Sequence, residues 1–279
     1  MKSVDFLKMA GAGNDFIVID ARKLKIASAA TLAKKLCDRK HSIGGDGLLL
    51  VEKSSATIRG GSASGGKKAD MRMRIINPDG SEAEMCGNGV RCVAKFAVVN
   101  GITGKKLSIE TLAGIIQAEV KGDIVKARMI DPKNFKTGLR LSVNGEYLDA
   151  SFIDTGVPHA VVYSNALETL DVETIGRAIR THECFAPRGA NANFIAKTPS
   201  GIRVRTYERG VEGETLACGT GSTASALIAA ATQGLSSPVS VRTQGGEILK
   251  IYFSRKNGVF HDVYLEGSVK TSFEGRVEL

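Results

Sequence analysis

The 279 residues contain no tryptophan, and aromatic residues make up only 5% of them. A surface that grips nucleic-acid bases by stacking needs aromatic side chains, so that class of partner is not expected. Long apolar runs are missing too. The longest, residues 48–51 and 224–231, fall far short of the roughly 20 residues a helix needs to cross a bilayer, and no membrane partner is expected. Lys2, Asp5, Lys8 and Asp15 interrupt the apolar residues of positions 1–20. That rules out the continuous apolar stretch of a secretory signal, and the cytoplasm is the expected location. Cys37, Cys86, Cys92, Cys184 and Cys218 form no Cys-x-x-Cys pair, and His41, His159, His182 and His261 show no ligand spacing, so no metal site is expected. An odd number of cysteines in a chain this large argues for reduced thiols over a disulfide framework.

What is present is the material of a globular protein: 43% hydrophobic residues, and 38 basic against 29 acidic side chains for a net charge of +9. The cations are spread along the chain and form no stripe, so the excess fits solubility or a small anionic substrate better than a nucleic acid.

The chain repeats itself. Glu84-Met85-Cys86-Gly87-Asn88-Gly89 echoes Leu216-Ala217-Cys218-Gly219-Thr220-Gly221, with 132 positions between the cysteines. Thr111 and Thr243, in matching Thr-x-x-Gly turns, have the same separation. Met71-Arg72-Met73-Arg74-Ile75 and Ile202-Arg203-Val204-Arg205-Thr206 alternate with period two, as half-buried strands do. Further upstream, Gly13-Asn14-Asp15-Phe16 resembles Gly156-Val157-Pro158-His159, a glycine turn opening into an apolar strand. Each cysteine precedes a helix-compatible run, residues 90–99 ending at Asn100-Gly101 and residues 222–232 ending at Gln233-Gly234. The first run has one apolar face, through Val90, Val93, Ala94, Ala97 and Val98. The second is apolar nearly all round and is expected inside its domain. Residues 53–69, rich in glycine and serine, read as a hairpin loop.

A cysteine at a glycine-flanked helix start is a candidate base. The first amides of a helix have no internal partners and carry partial positive charge. There a thiol pKa can fall from about 8.5 to roughly 3.5–7.5. Two such cysteines at matched positions, facing one pocket, suit a substrate carboxylate held by the amides of Gly87, Asn88, Gly219 and Thr220. One thiolate would take the α-proton and the other thiol return it on the opposite face, with no pyridoxal cofactor required. Cys37, Cys92 and Cys184 lack this context and read as small buried hydrophobes.

With these residues in view, the chain resembles the diaminopimelate epimerase family over nearly its whole length. The matches are FLKMAGAGNDF from Phe6, GGDGL from Gly44, NPDGSEAEMCGNGVRC from Asn77, GVPH from Gly156, NANF from Asn191 and YERGVEGETLACGTGS from Tyr207. The resemblance implies an α/β protein of two pseudo-symmetric domains, each a mixed sheet wrapped around a central helix, with the active site in the cleft between them. The expected division is residues 1–131 plus a C-terminal strand at 268–279, carrying Cys86, and residues 132–267, carrying Cys218.

The resemblance also implies interconversion of LL- and meso-diaminopimelate, a step toward lysine and cell-wall precursors. Cys86 would handle the proton of the LL isomer and Cys218 that of the meso isomer. His159 and Glu208 would sit beside the reacting carbon, hold the amino group and help set thiol protonation. Asn14, Asn77, Asn191 and Arg209 would bind the distal amino-acid group, although turn geometry alone would also account for Asn14 and Asn77. The expected partner is that small molecule, and the candidate assembly is a homodimer.

Two positions depart from the family pattern, Val157 where asparagine is common and Gly47 where some members have glutamine, and either would relax selectivity. The alternatives are another two-cysteine racemase acting on histidine, glutamate or a hydroxyproline, whose proline-racemase-like branch is disfavoured by Asn88, a phenazine-type isomerase, disfavoured by the cysteine pair, and a pure binding module.

Overall fold

The computed structural model describes residues 3–56 and 68–278, so most of the loop expected at 53–69 lies outside the described residues. The chain forms two compact units, Met1–Arg128 with Gly267–Leu279, and Met129–Glu266.

Unit 1 runs β1 (Ser3–Gly11), β2 (Asn14–Asp20), α1 (Ala29–Leu36), β3 (Gly47–Glu52), β4 (Met71–Ile76), β5 (Glu82–Ala83), α2 (Gly87–Val99), β6 (Lys106–Thr111), β7 (Gly114–Lys121) and β8 (Ile124–Arg128). Unit 2 follows with β9 (Lys133–Val143), β10 (Glu146–Asp154), β11 (Pro158–Tyr163), α3 (Val172–Arg180), β12 (Asn191–Thr198), β13 (Gly201–Glu208), β14 (Gly213–Thr215), α4 (Gly219–Gln233), β15 (Val239–Arg242), β16 (Ile248–Lys256) and β17 (Val259–Ser268). The last strand, β18 (Lys270–Glu278), returns to unit 1 and pairs with β1.

The units share one topology. In unit 1 the hydrogen-bonded order is β18-β1-β2-β3-β4-β6-β7-β8, with parallel steps at β2–β3 and β4–β6. In unit 2 it is β9-β10-β11-β12-β13-β15-β16-β17, with parallel steps at β11–β12 and β13–β15. Helix α2 touches β1, β2, β3, β4, β6, β7 and β8, and α4 touches β10, β11, β12, β13, β15 and β16. Each sheet therefore wraps its helix, and the duplication visible in the sequence is a duplication of fold.

Side-chain alternation sorts the strands between two helices. Phe16, Val18, Leu49, Val51, Met71, Met73 and Ile75 pack with Val90, Val93, Ala94 and Ala97 of α2. The residues between them, Ile17, Ile19, Leu48, Leu50 and Ile76, pack with Leu32, Ala33 and Leu36 of α1. In unit 2, Ala160, Val162, Ala192, Phe194 and Tyr207 take the outer side with Val172 and Ile179 of α3. This leaves His159, Val161, Asn193, Ile195, Val204 and Thr206 for the face that α4 covers.

Three sequence expectations need correcting. Both central helices begin at the residue after the cysteine, so the glycines are their first turn rather than a preceding loop. Helix α2 is buried nearly all round and not along one face, and its two cations find partners inside. The Arg91 Nη2 donates to Asn88 Oδ1 at 2.6 Å, and the Lys95 ammonium donates to the Val269 carbonyl at 2.8 Å and pairs with Asp123 at 2.5 Å. Cys184, finally, is exposed in a short 3-10 turn (Glu183–Phe185), whereas Cys37 and Cys92 are buried as expected.

The α3 contact gives a test with a definite sign. Alanine is intrinsically better than glycine in a helix by about 1 kcal/mol, but a Cβ on Gly176 would overlap Cβ and Cγ of the buried Tyr207 on β13. Overpacking of this kind typically costs about 1–3 kcal/mol. Gly176→Ala should therefore lower the urea midpoint, and a raised midpoint would show that α3 does not rest on Tyr207.

Candidate functional site

Each cysteine is the N-cap of the helix inside its sheet. Cys86 has φ −142° and ψ 119°, and its Sγ accepts the Gly89 N–H at 3.4 Å. Cys218 has φ −123° and ψ 115°, and its Sγ accepts the Gly221 N–H at 3.4 Å. Serine, threonine or aspartate normally caps a helix this way through oxygen; here sulfur occupies the place toward which the helix dipole points. The amides of Gly87 and Asn88, and of Gly219 and Thr220, are the first two of their helices and have no intrahelical acceptor. Glycine at the third helical position lets the strand below come close: a Cβ at Gly89 would lie 3.3 Å from Leu49 Cδ2, and one at Gly221 would overlap Asn193 Oδ1.

Around Cys86 the predicted residues Asn88 and Asn14 join one hydrogen-bonded chain. Asn88 accepts from Arg91 and its Nδ2 donates to Asn14 Oδ1 at 2.7 Å; Asn14 Nδ2 donates to Asp46 Oδ2 at 3.1 Å. Asp46 also accepts from Arg39 at 2.8 Å, and Arg39 and Lys8 both pair with Asp15. Burial opposes ionisation of Asp15, but the bonds from Arg39 and Lys8 prevail and hold its carboxyl at about 2. Asn14 thus has a partner at each end of its amide. Asn77 stands on the turn that follows β4, where its Nδ2 donates to Ser81 Oγ at 3.0 Å and its backbone carbonyl accepts the Gly80 N–H.

Around Cys218 the strand ends supply the polar groups. The Glu208 carboxylate, at the end of β13, accepts from the Cys218 thiol and from Thr215 Oγ1 at 3.0 Å, and burial pushes its carboxyl above the usual range. A thiol beside a carboxylate of raised proton affinity is suited to proton exchange. Thr220 Oγ1 lies 3.4 Å from Sγ. Asn191 is held by backbone at both ends, donating to the Pro158 carbonyl at 3.3 Å and accepting the Arg209 N–H at 2.7 Å. Its clearest role is therefore to fix the ends of β11 and β13. The Arg209 guanidinium donates to the Arg188 carbonyl at 3.0 Å.

His159 is fully buried. Its Nδ1 lies 3.1 Å from Asn193 Nδ2, and its Nε2 has no hydrogen-bond partner among the described residues. Asn193 also donates to the Ala160 carbonyl at 2.9 Å and accepts from Thr206 Oγ1 at 3.0 Å. Sequence reasoning passed over Asn193, Thr206, Thr215 and Asp46. For the first two a signal existed in the repeat, since Leu49 and Ile75 stand in unit 1 where Asn193 and Thr206 stand in unit 2.

A family model described as diaminopimelate epimerase matches residues 6–135 and 151–271. The chain belongs to the diaminopimelate epimerase family. It is an enzyme of the isomerase class. A family relative from Aquifex aeolicus, named diaminopimelate epimerase, is 43% identical over 98% of both chains, and one from Methanocella arvoryzae, of the same name, is 40% identical over 100% of this chain and 98% of its own. Among solved structures, a phenazine biosynthesis protein of the PhzF family from Bacillus anthracis superposes with TM-score 0.76 at 18% identity over 100% of both chains. A hydroxyproline epimerase from Agrobacterium vitis does so with TM-score 0.64 at 18% identity, over 99% of this chain and 92% of its own. These two likenesses concern the fold alone. No helix among the described residues of this family member is long and apolar enough to cross a membrane.

Burial, reinforced by the charge of the Arg209 guanidinium, pushes the His159 imidazole down from 6.5 to about 3. The unfolded chain therefore binds a proton through that window that the folded chain does not, and stability falls as pH drops from about 6.5 toward 3. The urea midpoint of the wild type should fall more steeply with acidification below about pH 6.5 than that of His159→Gln. Parallel curves for the two would show that His159 titrates normally.

Proposed function

We propose that the protein interconverts LL- and meso-diaminopimelate with Cys86 and Cys218 as the two bases, in the supply of lysine and cell-wall precursors. The observation that carries this reading is the matched pair of sulfur-capped helix starts, each Sγ 3.4 Å from the third helical amide, in a chain of this family. A thiolate is favoured where it accepts backbone amides at a helix N-terminus. The substrate α-carboxylate would take the first amides of one or both helices, which have no intrahelical acceptor and then stabilise the charge that develops as the α-proton leaves. Cys86 removes the proton of the LL isomer and Cys218 delivers one to the opposite face; the reverse reaction exchanges their roles.

Glu208 serves Cys218 as proton partner, and His159 borders the reacting carbon. Asn14, Asn77, Asn191 and Arg209 are assigned to the distal amino-acid group, Arg209 through the two parallel hydrogen bonds that a guanidinium offers a carboxylate. Because Asn14 and Asn191 already hold protein groups at both ends of their amides, each has one remaining donor and acceptor to offer. Thiols and amides do this chemistry without pyridoxal phosphate or metal. A cytoplasmic location would keep both thiols reduced.

LL-diaminopimelate should be epimerised far faster than lysine or glutamate is racemised, since neither offers the second amino-acid head group. In heavy water, early product should carry deuterium while recovered LL substrate stays nearly unlabelled, because the returning proton comes from a solvent-equilibrated thiol. Cys86→Ala and Cys218→Ala should each lower the rate by about a thousandfold or more, as loss of one member of a cooperative catalytic unit does, whereas Cys184→Ser should leave it near normal. Retention of more than about a tenth of the rate by Cys218→Ala, a loss under about 1.4 kcal/mol, would rule out the two-base reaction.

A further inference from the structure

The two halves differ most at the floor beneath their catalytic helices. In unit 1 the positions facing α2 on three successive strands are Phe16, Leu49 and Ile75, all apolar and packed in one cluster. The register of the matching strands puts His159, Asn193 and Thr206 in the same places of unit 2: β2 pairs β3 with Phe16 opposite Gly47, and β11 pairs β12 with His159 opposite Asn191. Leu49 lies opposite Ile75, as Asn193 lies opposite Thr206. All three polar side chains are buried. An unsatisfied polar group in such a place costs about 1–3 kcal/mol, so the exchange of a dry trio for a polar one calls for a use.

The hydrogen bonds show what the trio does. The Ala160 carbonyl can only accept, so the atom of Asn193 that lies 2.9 Å from it is the amide nitrogen. The Thr206 hydroxyl holds the other end of that amide at 3.0 Å. Of the two contacts left to Nδ2, His159 Nδ1 at 3.1 Å is closer than the Asn191 backbone carbonyl at 3.5 Å, so the second hydrogen goes to Nδ1, and a nitrogen that receives a hydrogen bond carries no proton of its own. The neutral ring must therefore bear its hydrogen on Nε2, which is the one atom of the trio without a partner among the described residues. A buried N–H suits an anionic acceptor and cannot accept from an ammonium.

We propose that Asn193 is a positioning residue that locks His159 as the Nε2–H tautomer, making the histidine a hydrogen-bond donor to an anion, thiolate sulfur or carboxylate oxygen, in the reacting assembly. The inference rests on the reading of His159 as a neighbour of the reacting carbon and changes its role there, from acceptor of the amino group to donor. The amino group is left to Glu208, which keeps an acceptor oxygen.

Nitrogen-15 NMR of the substrate-free enzyme, with His159 identified by loss of its signals in His159→Gln, reads the tautomer directly. The wild type should carry hydrogen on Nε2. Asn193→Asp, which offers Nδ1 an acceptor, should move it to Nδ1 and lower kcat on LL-diaminopimelate at least about tenfold, with KM changed much less. Asn193→Leu, which copies the apolar half and guards against misfolding of the aspartate variant, should leave the two tautomers mixed, with a similar fall in kcat. A wild-type ring protonated on Nδ1, or variants that keep both the tautomer and kcat, would overturn the proposal. Because the tautomer is read without substrate, an Nε2–H ring in an enzyme inert toward LL-diaminopimelate would count against the proposed substrate, whereas an Nδ1–H ring in an active enzyme would count against this inference alone.

Discussion

A cysteine sulfur that accepts the third amide of a buried helix is the interaction around which each half is organised. The bond at 3.4 Å sets the cysteine in extended backbone and starts the helix at the next residue. Sulfur is a weaker acceptor than the oxygen of an ordinary cap, so part of the favourable field at the helix start goes unspent on capping and remains available to stabilise a thiolate. The arrangement works only if the helix is kept from water. Each mixed sheet therefore curves around its helix, and even Arg91 and Lys95 of α2 are enclosed with partners.

The glycines follow from the same constraint. Bringing the sulfur and the first amides against the strand floor leaves little room for a Cβ at Gly89 and none at Gly221. The contact is close in both halves, with Leu49 in one and with Asn193 in the other. What differs is the chemistry of the floor. Apolar packing under α2 leaves the polar work of unit 1 to a chain of bonds at the helix edge, from Arg91 through Asn88 and Asn14 to Asp46. Under α4 a satisfied polar trio replaces the packing and presents one N–H. Two scaffolds of one topology thus carry unequal polar equipment, and both Glu208 beside Cys218 and the neutral His159 in the strand floor belong to unit 2.

Much of this was legible in the chain itself, because repeats and helix punctuation are local. The common offset of Cys86 from Cys218 and of Thr111 from Thr243 announced two copies of one fold, and Asn100-Gly101 and Gln233-Gly234 marked helix ends that the structure has at Val99 and Gln233. The two helix-starting cysteines stood out by their glycine context. Their proposed partners, by contrast, came from resemblance to a family rather than from any local pattern.

The amino-acid sequence by itself determined the duplication and the pair of cysteines at helix starts, since short-range spacing and steric preference encode both, whereas the fold class was what the family resemblance implied. Only the tertiary structure decided which polar residues are satisfied and by whom. Asn191 clamping two strand ends and Asn193 meeting His159 across adjacent strands depend on partners between 18 and 34 positions away. No periodicity records such partners. Hydrogen-bond satisfaction is a property of neighbours in space, and a strand register that turns one face toward a buried helix is what makes neighbours of them.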